Sequence, residues 1–260
     1  MKPLSSSLLA VAALTLVVSA LSSVPATAQP AAAAATPAAT TRYQVTVVRI
    51  KPDMLNEWLD LQKNEVVPAQ KKGGIKERQV WATAVGNAFE YTILVPFEKF
   101  AIMDSPNPVV TALGAEAAAR LNAKTRKCIE VQRTFMSNRV DDLTIPPGDA
   151  LVMRTVVRHV PPGRAQDYVS FYRAEVFPAL KKAKADGKIA GSTIAIRGVG
   201  AQADELTTTE YYNKFADMDA GNPVAAVVGA EANAKINAKG APLATAVQTV
   251  IRRRVAELSF

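Results

Sequence analysis

The sequence predicts an α+β fold made of two copies of one β-α-β-β-α-β unit, and three observations predict it. A long segment recurs: Lys99–Lys124 (KFAIMDSPNPVVTALGAEAAARLNAK) matches Lys214–Lys239 (KFADMDAGNPVAAVVGAEANAKINAK) at one constant offset, and self-similarity of this kind marks a repeated structural unit. Shorter matches lie on either side: Val47-Val48-Arg49 with Val156-Val157-Arg158, Glu65–Ala69 with Glu175–Ala179, and Arg139–Leu143 with Arg254–Leu258. Within each copy the hydrophobic period switches between that of a strand and that of a helix in the same order.

In the first copy, Tyr43–Ile50 alternates as a strand, and after Pro52 the residues Leu55, Trp58, Leu59 and Val66 fall on one helical face. Two strands follow, Gln79–Val85 and Phe89–Val95, joined at Gly86-Asn87. Asn107-Pro108 then starts a second helix, because Asn accepts from an orphan amide and Pro has no amide to leave unpaired. Its expected buried face is Val109, Val110, Leu113, Ala117 and Leu121, and Cys128–Arg139 is the closing strand. The second copy reads the same way. Strand Leu151–Val160 is ended by Pro161-Pro162-Gly163, and the helical stripe is Ala165, Tyr168, Val169, Tyr172, Val176 and Leu180. Strands Thr193–Val199 and Leu206–Tyr212 flank a turn at Gly200–Ala203. A second helix follows from Asn222-Pro223 with Val224, Ala225, Val228, Ala232 and Ile236 inward, and Ala246–Val255 is the last strand. Gly114 and Gly229 fall inside the second helices, where Gly is unfavourable, so their recurrence predicts a close helix approach.

Four segments result. Residues 1–28 read as a signal peptide, with Lys2, the apolar run Leu8–Leu21 and Ala26-Thr27-Ala28 before Gln29. Residues 29–42, rich in Ala, Pro and Thr, read as a disordered linker. The two repeats occupy 43–145 and 149–260. The chain is therefore expected to be exported, periplasmic or secreted, with no stable membrane span after processing. It carries 31 Lys+Arg against 23 Asp+Glu, and removing residues 1–28 takes away only Lys2, so the mature chain stays basic. That excess fits a solvated exterior, and no nucleic-acid partner is expected. Arg252-Arg253-Arg254 reads as solvated strand positions.

The order β-α-β-β-α-β is the ferredoxin-like split βαβ arrangement, which covers one sheet face with helices and leaves the other to be buried. Two such units can press their open faces together, with helices outside and a lumen between the sheets. This plan, over residues 43 to 260, resembles the dimeric α/β-barrel superfamily in its tandem, pseudo-dimeric form. Members include antibiotic-biosynthesis-monooxygenase-like and NIPSNAP-like modules. The resemblance implies an intrachain pseudo-dimer with further oligomerisation open. It rests on element order and duplication, so it says little about activity.

The chemistry is bounded by scarcity. One His and one Cys exclude a zinc site built from several such ligands, a disulfide framework and an iron–sulfur cluster. A nucleophile triad would have only His159 as base, and Gly-x-Ser-x-Gly is absent from the sequence. Haem-binding members of the superfamily use an axial His on or just after a helix; the second helices hold none, and His159 ends a strand. No cofactor or metal is therefore expected, and haem is disfavoured. No catalytic residue stands out. The candidate ligand-binding residues are Arg49 and Arg158, ending the first strands; Glu90 and Glu205 on the third strands, sharing faces with Thr92 and Thr207; Trp81 and Tyr91 on the hairpin; and His159. The leading expectation is an exported protein that binds a small, anionic or aromatic molecule in the lumen. The alternatives are a cofactor-independent monooxygenase- or isomerase-like enzyme and a cell-envelope interaction module.

Overall fold

The computed structural model describes residues 40–202 and 204–260. The expected signal peptide, and the linker as far as residue 39, lie outside the described residues. The first strand, β1 (Thr40–Ile50), starts within the expected linker, so Thr40, Thr41 and Arg42 are strand rather than tether. They extend the ladder against the opposite strand, where Thr41 and Arg42 stand across from Arg139 and Asn138.

After β1 come α1 (Leu55–Leu61), a π turn (Gln62–Val66) and α2 (Val67–Lys72), then the hairpin β2 (Gln79–Val85) and β3 (Glu90–Phe97). The helices α3 (Pro108–Leu113) and α4 (Ala115–Cys128) lead to β4 (Ile129–Val140). The same succession follows: β5 (Val152–His159), α5 (Ala165–Phe171), a π turn (Tyr172–Val176), α6 (Phe177–Ala185), β6 (Gly191–Arg197), β7 (Glu205–Tyr212), α7 (Ala225–Val228), α8 (Ala230–Gly240) and β8 (Thr245–Arg254). All eight strands form one closed antiparallel barrel, ordered β1-β3-β2-β8-β5-β7-β6-β4. The joins between the two sets of four strands are short. At one of them only Ser137, Asn138 and Arg139 stand opposite Arg197, Ile196 and Ala195.

Both π turns have the same cause. Pro68 and Pro178 lie two residues beyond them and would drive their rings into the carbonyls of Asn64 and Ala174 in a regular helix. The chain widens by one residue instead: the Val67 amide donates to the Gln62 carbonyl, and that of Phe177 to Tyr172. This insertion points Gln62 and Tyr172 into buried positions.

Asn107 and Asn222 cap as expected, their Oδ1 atoms accepting from Val109 and Val224 at 2.8 Å. The expected role of Gly114 and Gly229 is corrected. Neither makes a close approach, since a Cβ at either would meet nothing within 4 Å. They break the helix, with φ 81° and ψ 161° at Gly114 and φ 87° and ψ 160° at Gly229, a region essentially reserved for Gly. The break turns the helical face, so Ala118 rather than Ala117 is buried and Leu113 is 40% exposed. Cys128, expected to open the last strand, ends α4 instead; it is fully buried, and burial pushes its thiol pKa up.

Two apolar cores lie between the sheet and its helices. One gathers Val48, Ile50, Trp58, Val80, Tyr91 and Leu121. The other gathers Val152, Tyr168, Leu180, Ile194, Leu206 and Tyr212. Fully burying one Ile or Leu of this kind contributes about 1.5–3 kcal/mol. Inside the barrel, Val45 and Phe135 pack with Val47 and Leu94.

Candidate functional site

Alternation along each strand decides which side chains face the helices and which face the lumen, and it divides the predicted residues between two places. On β5, Arg154, Val156 and Arg158 point toward the helices and line a cleft of about 290 Å³. Its other walls are Tyr168, Phe171 and Tyr172, the Thr208–Glu210 stretch of β7, and Asn233, Ile236 and Asn237 of α8. The Arg158 guanidinium lies over the Tyr168 ring, 5.6 Å from its centroid, and its Nε is buried without a partner. Arg154 pairs with Glu210 at 3.0 Å. The Tyr172 hydroxyl reaches Ser192 at 3.4 Å. Burial raises the pKa of both Tyr168 and Tyr172, against the opposing pull of Arg158 on the first and the Ser192 hydrogen bond on the second. Both phenols therefore stay neutral and can donate a hydrogen bond.

The corresponding space in the first half is filled. Trp58 of α1 stacks against Tyr91 with centroids 4.6 Å apart and an interplanar angle of 44°. Tyr91, expected beside Trp81 in the lumen, is thus a core residue under a helix. The physical reason is parity: Trp81 and Tyr91 stand at positions of opposite face on paired strands.

The lumen is a separate cavity of about 130 Å³. Val45, Val47, Leu94, Phe135 and Met153 give it apolar walls, and Thr155 bonds its cross-strand neighbour Thr209 along the wall at 3.1 Å. Trp81 faces inward, 2% exposed, with its ring centroid 5.9 Å from that of Tyr211. At one end Arg139 donates to the Tyr43 hydroxyl (2.7 Å), Asp141 (2.8 Å) and Thr41 (3.1 Å), a satisfied network. Burial pushes the Tyr43 phenol up to about 12, although Arg139 pulls the other way.

The other end widens into a mouth of about 330 Å³ lined by Arg49, Arg133, Arg197, Arg252, Glu90 and Gln248 among others. Glu205 reaches Arg197 at 2.6 Å and Glu90 lies 3.5 Å from Arg252. Arg49, 41% exposed, sits 3.8 Å from Glu130. The expectation that Glu90 shares a face with Thr92, and Glu205 with Thr207, matches this arrangement: both pairs point inward. Arg252, read from sequence as solvated, is only 9% exposed. Burial lowers its pKa, with Glu90 opposing and Arg197 adding to that effect.

Arg49 and Arg158 do not share a site. The recurring Val-Val-Arg triplets sit one residue out of step in the two halves of the barrel, so Arg49 points into the barrel mouth and Arg158 into the helix-side cleft. His159 is exposed at the end of β5 and lines neither cavity nor the cleft. Sequence reasoning missed Arg133, Arg197, Arg154, Glu210, Asn233 and Asn237. The one available signal was Arg252, which stands two residues after the apolar Val250 in a strand and so shares its face.

No family model matches the chain, and no curated protein matches it. Solved structures do. A candidate monooxygenase from Lactobacillus acidophilus NCFM is 12% identical, with 83% of this chain and 94% of that one covered and a TM-score of 0.53. An anthrone oxidase-like protein is 11% identical, with 83% and 91% covered and a TM-score of 0.55. A candidate chlorite dismutase is 11% identical, with 84% and 96% covered and a TM-score of 0.50. At these identities the likeness shows the fold: this chain has the dimeric α/β-barrel architecture, α+β with a closed eight-stranded antiparallel barrel.

The expectation that haem is disfavoured is corrected by the same comparisons. They include the candidate chlorite dismutase, with a TM-score of 0.50. The absence of a helical His is therefore no ground for setting haem aside. Among the described residues no imidazole faces the cleft, the lumen or the mouth, so the structure gives haem no histidine ligand there. No group of three or more His, Cys, Asp or Glu placed to hold a metal ion occurs among the described residues, and none of their helices is long and apolar enough to cross a membrane.

Proposed function

We propose that this chain is an exported small-molecule-binding protein whose ligand occupies the cleft between β5, β7 and the helices α5 to α8. The observation that carries this reading is the contrast between the two halves of the barrel: Trp58 on Tyr91 fills the helix side of one, while Arg158 over Tyr168 leaves the other open and polar. A guanidinium with a free Nε, two neutral phenols and the amides of Asn233 and Asn237 suit a planar ligand with a polar or anionic edge. Cleavage after Ala28 delivers the mature chain, in which residues 43–145 and 149–260 are fused ferredoxin-like repeats. The recurrence of Lys99–Lys124 as Lys214–Lys239 supports that reading.

Native mass spectrometry of protein purified from the exported compartment tests it. A bound small molecule retained by the parent and lost in Arg158→Gln, with an unchanged circular dichroism spectrum, is the expected result. A parent that carries nothing and binds no member of an aromatic-acid panel overturns it.

A second reading, cofactor-independent monooxygenase chemistry in the same cleft, is favoured by its three aromatic walls, Tyr168, Phe171 and Tyr172. Proteins described as a candidate monooxygenase and as anthrone oxidase-like share the fold. Oxygen uptake in the presence of an anthrone, abolished in Arg158→Gln, is its signature.

A further inference from the structure

The barrel mouth is a second site, independent of the helix-side cleft. Four guanidinium groups converge on it, from Arg49 on β1, Arg133 on β4, Arg197 on β6 and Arg252 on β8, against the carboxylates of Glu90 and Glu205. Arg197 meets Glu205 at 2.6 Å and Arg252 stands 3.5 Å from Glu90, and the Nε of each arginine is buried without a partner. A buried guanidinium with donors to spare, aimed into a cavity, recognises a carboxylate or phosphate oxygen. The mouth does not end at the arginines. Val47, Phe135, Arg197 and Arg252 line both the mouth and the lumen behind it, so the two spaces adjoin through these side chains. The lumen is apolar along Val45, Val47, Leu94 and Phe135, and a dry cavity of about 150 Å³ takes one benzene ring, close to the 130 Å³ found here. The Arg139–Tyr43–Asp141 network at the far end is fully matched, so the mouth is the end with guanidinium donors to spare.

We propose that the barrel mouth binds a small aromatic carboxylate, its carboxylate held by Arg252 and Arg197 and screened at the rim by Arg49 and Arg133, and its ring placed in the lumen against Phe135. An inorganic oxyanion would use the arginines but leave the lumen empty, and a neutral aromatic would use the lumen but leave the spare Arg252 donor unused.

Isothermal titration calorimetry of the mature chain with benzoate, benzyl alcohol and inorganic phosphate tests the proposal. Saturable benzoate binding is expected, weakened about tenfold or more in Arg252→Met because a charge-assisted hydrogen bond is lost. The rim variants Arg49→Gln and Arg133→Gln, which sit in solvent and leave folding intact, weaken it about two- to fivefold each. If Arg252→Met does not fold, the Arg49→Gln/Arg133→Gln double variant carries the same test. In the Arg158→Gln background, where the cleft no longer holds an aromatic acid, benzoate binding persists and stays sensitive to Arg252→Met, which separates this site from the cleft. Absence of benzoate binding, equal affinity for benzyl alcohol or phosphate, unchanged binding in every mouth variant that folds, or loss of binding in Arg158→Gln each overturns it.

Discussion

Arg252 and Glu90 face each other across the mouth of the barrel, Nη2 3.5 Å from Oε1, although one stands on the last strand and the other on the third. Their side chains are 11% and 13% exposed, so each is the other's main compensation for lost water. Replacing Glu90 by Gln leaves the Arg252 cation buried with a neutral neighbour and is expected to lower unfolding stability by about 3 kcal/mol. The same change frees the guanidinium, so benzoate restores part of that stability, and urea denaturation with and without benzoate reads both effects.

Arg78 is a buried cation of another kind. It is 1% exposed, its Nη2 donates to Gln62 at 2.7 Å, and its Nε and Nη1 have no partner. Burial lowers its pKa to about 10. Gln62→Leu removes its one acceptor and is expected to cost about 1–3 kcal/mol. The double change Arg78→Met/Gln62→Leu, which takes away the polar groups together, returns to within about 1 kcal/mol of the parent. A double-mutant cycle by chemical denaturation decides between this and simple additivity.

All six tyrosines, Tyr43, Tyr91, Tyr168, Tyr172, Tyr211 and Tyr212, hold their protons above the ordinary phenol range, burial being the first cause in each. A folded pKa above the unfolded one means that, past pH about 10, the unfolded chain has lost protons the folded chain keeps. Stability is then undiminished below that pH and falls as pH rises through the window up to about 12, where Tyr43 titrates. Tyrosinate absorbance is expected to appear together with the loss of near-ultraviolet circular dichroism. Stepwise ionisation of a protein that stays folded from pH 10 upward would contradict this.

Gly114→Ala and Gly229→Ala put a Cβ where φ is 81° and 87°. Each is expected to lower stability by about 1–3 kcal/mol, even though the added methyl meets no neighbour. Thermal unfolding of the two single variants checks this; a gain in stability would mean that the helix runs through the glycine.

Much of the fold was legible in the residues because it rests on period and punctuation. Gln79–Val85 is a strand over the expected range, and Asn107 and Asn222 cap the helices they were expected to start. The site was less legible, because it depends on which face a strand turns inward, and a recurring triplet does not carry that information. Val47-Val48-Arg49 and Val156-Val157-Arg158 look equivalent, yet a shift of one residue sends the arginines to opposite sides of the sheet. Gly114 misled for a related reason: its cost inside a helix is visible in sequence, but the left-handed φ that makes Gly necessary there is not.

Because all eight strands of the barrel come from one polypeptide, nothing obliges its two ends to match. A barrel assembled from two identical chains would repeat every feature by rotation, arginines and phenols alike. Here an end built on the Arg139–Tyr43–Asp141 network and an end built on Arg252 and Glu90 coexist, so the ligand proposed for the mouth binds one per chain.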